Sequence, residues 1–128
     1  MAYIKTIMNT QENNRLIAKF MGMTYGDLND DSVMIQMTPK GNEVVPIELM
    51  EYHTSWDWLM PVVEKIEREY MYAVQPCWEH CIIDKAGENT EDFERIEVDS
   101  SDKLSATYGA VVEFIKWYNM KTQPSTIH

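Results

Sequence analysis

The sequence predicts an α+β domain: an antiparallel sheet of three to five strands, two long helices packed on one face, and a short N-terminal helix, together an α/β sandwich. Three observations predict it. Apolar residues recur at helical spacing over 11–21, 55–69 and 102–119, they alternate with polar ones over 93–99, and glycine, proline and asparagine punctuate the segments between. With 128 residues, 45% of them apolar and 25% charged, the chain fits one domain able to bury roughly two-thirds of its unfolded surface without disulfide or metal.

The first helix is read from Leu16, Ile17, Phe20 and Met21 on one face, with Thr10 as a cap and Gly22 at the left-handed position that ends a helix. Residues 32–51 read as a strand and hairpin: Val33, Ile35 and Met37 alternate, Pro39 to Asn42 turn, and Pro46 confines the strand from Glu43 to Ile47 to an edge. Thr54 with Asp57 makes a capping-box pattern ahead of Leu59, Val62, Val63, Ile66 and Tyr70, so 55–69 is a helix, kinked at Pro61. Trp56 falls beside its inner face and Trp58 on the flank.

Residues 70–99 carry the antiparallel strands. Tyr70 to Gln75 and His80 to Asp84 are joined through Pro76, Lys85 to Asp92 is a polar loop, and in 93–99 Ile96 and Val98 oppose Arg95, Glu97 and Asp99. The last helix, 102–119, places Leu104, Tyr108, Val111, Val112, Ile115 and Tyr118 inward. Its second stripe, Ala106, Ala110, Phe114 and Trp117, requires another cover, either the first helix or a second protein chain. Residues 120–128 form a frayed tail.

Three segments together resemble a group of small phage and prophage proteins similar in layout to the phage ABA-sandwich domain family. They are Asn14 to Gly22, Tyr52 to Glu67 (YHTSWDWLMPVVEKIE) and Ala110 to Asn119 (AVVEFIKWYN). The resemblance implies a helix, a capped central helix, an antiparallel sheet and a C-terminal helix in that order, and a phage-related origin. It implies no activity and no catalytic set. A three-layer sandwich covers both sheet faces, whereas the charged side of 93–99 calls for two layers there.

Charge narrows the partners. The net charge is −10, and residues 27–102 hold nineteen acidic side chains against five basic ones. That field repels nucleic-acid backbones and anionic lipids and suits a basic protein. The longest uncharged apolar run, Trp58 to Val63, is far short of a membrane span, and two cysteines make no disulfide framework. The expected location is therefore the cytoplasm.

Cys77, His80 and Cys81 are the nearest approach to a metal site, but residues four apart on a strand lie roughly 13 Å apart, and no second Cys/His pair completes a zinc spacing. Buried, inert cysteines are the better reading. His53, Ser55 and Asp57 are adjacent in sequence, as triad members are not, and two of them already serve a helix start. Glu64, Glu67 and Glu69, mixed with Lys65 and Arg68, read as a solvated helix face. No catalytic residue and no cofactor is assigned.

The sequence thus points to a non-enzymatic accessory domain of phage or prophage origin. It acts by protein contact, with a partner or with itself as a homo-oligomer through Ala106, Ala110, Phe114 and Trp117. One alternative is an acidic decoy that inhibits a nucleic-acid-binding host protein; another is a small enzyme or metal-binding protein.

Overall fold

The computed structural model describes residues 2–27, 30–85 and 95–122. The fold is α+β, and its strands form two three-stranded antiparallel sheets. The single domain expected from length divides into two compact units, Met1–Val62 and Val63–His128.

In the first unit, helix α1 spans Ala2–Phe20, nine residues earlier than its apolar face announces. Its end follows the sequence reading. Gly22 has φ 98°, its N–H donates to the Lys19 carbonyl at 3.0 Å, and the Met23 N–H donates to the Ala18 carbonyl at 2.9 Å. These two bonds satisfy carbonyls that the helix leaves unpaired, and the left-handed residue between them is favoured as glycine.

Strands β1 (Thr24–Asp27), β2 (Asp30–Thr38) and β3 (Gly41–Pro46) follow, paired in the order β1-β2-β3. The last two residues of the short strand β1, Gly26 and Asp27, fall in a stretch, Gly26 to Asp31, whose glycine and acids read as a turn. Strand β3 lies at the edge, as Pro46 requires, and is exposed from Gly41 to Val44. Pro39 and Lys40 turn the β2–β3 hairpin, where the Thr38 hydroxyl donates to the Gly41 carbonyl at 2.6 Å. A 3-10 turn, Ile47–Leu49, buries Ile47 and contacts both α1 and β2.

Helix α2 spans Trp56–Glu69 and continues through Pro61, beginning in the first unit and ending in the second. Its cap is one residue later than the Thr54 pattern suggests. The Thr54 and Ser55 N–H groups both bond the Glu51 carbonyl, closing a turn, and the Ser55 carbonyl accepts the Leu59 N–H at 3.0 Å. Ser55 is therefore the half-helical residue. Trp56 and Trp58 are both half-buried, so Trp56 is not the core residue its wheel position implied.

In the second unit, Met71 takes a left-handed φ of 63° after α2 and turns the chain into β4 (Tyr72–Pro76). Glu67 accepts the Val74 N–H at 3.3 Å across that turn. Strands β5 (His80–Lys85) and β6 (Ile96–Asp99) complete the sheet β4-β5-β6. Ile96 and Val98 are half-buried while Glu97 and Asp99 are exposed, the alternation read in the sequence. Arg95 pairs with Asp84 at 3.9 Å. The loop expected over 85–92 and the tail beyond 122 lie largely outside the described residues.

Helix α3 spans Lys103–Thr122 and lies on all three strands. Asp102 caps it, its carboxylate accepting the Ser105 N–H at 2.8 Å and its carbonyl the Ala106 N–H at 3.0 Å. The Ser105 hydrogen bond holds the Asp102 carboxyl below its ordinary range, partly against desolvation.

Candidate functional site

The proposed interaction stripe on α3 is not an open surface. Ala106, Ala110 and Phe114 are all 0% exposed, and Trp117 is half-buried. The correction has a steric cause. A Cβ built on Gly109 would sit 2.9 Å from a Val98 methyl carbon, so the helix approaches β6 closely there, and Phe114 and Trp117 of the stripe meet Tyr72 of β4. The large residues Val111, Val112 and Ile115 on its other side are buried as well.

At the far end of this seam Phe114 and Trp117 join an aromatic cluster. Tyr72 meets Phe114 at 5.1 Å and Trp117 at 6.0 Å between ring centroids, while Tyr70 meets Tyr118 at 4.6 Å. Lys121 places its ammonium 5.0 Å from the Trp117 ring. Burial is the main cause raising the phenol pKa values of both Tyr70 and Tyr72, so both are neutral hydrogen-bonding groups at physiological pH.

Cys77, His80 and Cys81 sit at the tip of the β4–β5 hairpin. The Cys77 N–H donates to the His80 carbonyl at 2.7 Å, and Cys81 pairs with Pro76 on one side and Val98 on the other. Cys81 is fully buried. Burial pushes its thiol up to about 11, against the pull of hydrogen bonds with Thr107 and the Gln75 backbone, so it is a protonated, poorly nucleophilic thiol near neutrality. Among the described residues no group of three His, Cys, Asp or Glu side chains is placed to hold a metal ion.

The same turn holds Trp78, which is 88% exposed. Tryptophan is highly buried on average. Trp78 departs because it occupies, with Glu79, the two-residue tip, where neither strand face can cover it. Asp99 faces His80 across the β5–β6 ladder, and the Ser100 N–H donates to the Glu79 carbonyl at 2.8 Å. The indole is thus carried on a tip beside the exposed acids Glu79 and Asp99.

Of His53, Ser55 and Asp57, His53 meets Asn14 of α1 and Ser55 serves the start of α2. The Asn14 side-chain amide, 2% exposed, lies 3.3 Å from the Met50 carbonyl and 3.2 Å from His53 Nδ1. An amide nitrogen only donates, so Nδ1 presents a lone pair and the imidazole is neutral. Desolvation lowers the His53 pKa, opposed by Glu51. Glu64, Glu67 and Glu69 are exposed, as a solvated face should be, and Lys65 pairs with Glu69 at 3.9 Å.

The first unit also contains a groove of about 340 Å³ lined by Met21, Met23, Gln36, Tyr52, Asp57, Trp58 and Pro61. Tyr52 and Trp58 stand edge to face, with centroids 5.1 Å apart and planes at 87°. Burial pushes the Tyr52 phenol up to about 12. The aromatic spacing around Thr54 hints at this wall, but Met21, Met23 and Gln36 reach it only through the tertiary fold.

No helix among the described residues is long and apolar enough to cross a membrane. Comparison of the chain with protein-family models, curated proteins and solved structures finds no match.

Proposed function

We propose that this chain is a non-enzymatic accessory domain of phage or prophage origin that works in the cytoplasm by contact with another protein. The observation that carries the reading is the exposure of Trp78 at a hairpin tip. A large aromatic left in water gives up burial it would gain against a partner, and tryptophan is among the residues that most often anchor interfaces. The tip replaces α3 as the contact surface.

The acids beside it favour a second form of the same reading, an acidic decoy that occupies the basic surface of a nucleic-acid-binding host protein. Glu97 and Asp99 project from the same side of β6, both exposed, and Glu79 stands next to the indole. Such a contact weakens with salt, because exposed charges are screened beyond a Debye length of roughly 8 Å at physiological ionic strength.

The test uses two baits, wild type and Trp78→Ser, shown to melt alike. A purified partner, or a second copy of the chain, that binds the first and not the second supports protein contact through the tip. Equal binding by both overturns it. Loss of that binding between low and high salt selects the decoy form; salt-independent binding removes it.

A further inference from the structure

We propose that the groove in the first unit binds a small organic ammonium ion, with Tyr52 and Trp58 as its aromatic wall and Asp57 as its counter-charge. The cavity, about 340 Å³, lies at the small end of the roughly 300–1,000 Å³ found for ligand sites. Its one charged lining side chain is Asp57; the Gln36 amide, the Tyr52 hydroxyl and the Trp58 indole N–H are its other polar groups, and no basic side chain is among the residues that form it. A neutral apolar ligand gains nothing from Asp57, and an anion is repelled by it. A cation with a greasy body matches the whole lining.

The rings supply the second half of the argument. Planes at 87° bound a corner and not a flat wall, and the electron-rich faces of such rings attract ammonium groups. Met21 and Met23 add polarisable, adaptable contacts for methyl or methylene groups. The Gln36 side-chain carbonyl is an acceptor for an N–H or hydroxyl hydrogen. The net charge of −10 raises the local concentration of cations around the whole chain.

The probe is choline, set against its uncharged isostere 3,3-dimethylbutan-1-ol and against a lysine-bearing peptide, with methionine methyl groups observed by NMR. Choline is expected to shift the Met21 and Met23 methyls, leave the exposed Met120 methyl unmoved, and bind on the order of tenfold more tightly than the isostere. Asp57→Asn, an exposed position, removes that preference while the fold persists. Trp58→Leu weakens choline binding further, and the unfolding curve of each variant separates lost binding from lost structure. Three results overturn the proposal: equal affinity for choline and the isostere in the wild type, no shift at Met21 or Met23 with millimolar choline, or binding of the peptide alone.

Discussion

The two units contain the same parts and use them differently. Each has a three-stranded antiparallel sheet whose strands pair in sequence order. In the second unit α3 lies on all three strands, and Cys81, Ile83, Ala106, Ala110 and Phe114 are all fully buried. In the first, the contacts of α1 run to the 3-10 turn, β3 is exposed over four residues, and a buried amide ties the helix to Met50 and His53. Both units bury an apolar core, with Ile17, Met34, Met50, Leu59 and Val62 in the first, but the first adds a buried polar tie between its helix and a turn. Secondary structure alone does not set how a small domain is held; what lies on the sheet does.

The largest effect should come from the packed unit. Phe114→Ser removes a fully buried ring and leaves a hydroxyl in its place, so urea denaturation should show a loss of about 3–5 kcal/mol or outright unfolding. A variant that melts like the wild type would show that the seam does not organise this unit. Gly109→Ala tests the seam by excess instead of deficit. Its Cβ meets Val98 at 2.9 Å, and the expected cost is about 1–3 kcal/mol. Val98→Ala added to it should restore part of that loss, a coupling that a change in helix propensity alone would not produce.

Smaller effects belong to the first unit. Gly22→Ala meets no atom within 4 Å, so its cost is that of a left-handed backbone, about 1 kcal/mol in thermal or urea unfolding. If it costs nothing, the end of α1 is not held as described. The smallest is a pH effect. His53 has a folded-state pKa below its ordinary value, so the unfolded chain binds the proton more readily, and stability present at neutral pH falls as the pH drops through about 6.5 and below. Amide exchange compared near pH 7 and pH 5 should show α1 loosening more in wild type than in His53→Gln. Equal loosening in both would remove His53 as the source.

Much of the frame was legible in the chain. Some ends and turns were readable because their chemistry is local: Gly22 has one conformational role to play, and Pro46 excludes a central strand. Helix starts were less so: Tyr3, Ile4, Ile7 and Met8 repeat the spacing of Leu16, Ile17, Phe20 and Met21, but the wholly polar residues 9–15 separate the two groups. The candidate surface was misplaced for a physical reason. A wheel weighted by hydrophobicity gives Gly109 no weight, whereas α3 approaches β6 closely at that residue because it has no side chain. Trp78 already lay in the turn read between Gln75 and His80, and what was passed over is that a side chain on a turn is covered by neither strand face.

The hydrogen bond from the Val74 N–H to Glu67 has a bearing on how the protein behaves in concentrated solution. Strand β4 is an outer strand of its sheet, and an outer strand with free amide groups is a template on which a foreign strand can grow. Glu67 occupies one of those amides with a carboxylate, at once closing a growth point and placing a negative charge beside it. The side chain that sequence reading assigned to ordinary solvation thereby also blocks one hydrogen-bonding position on the outer edge of its sheet.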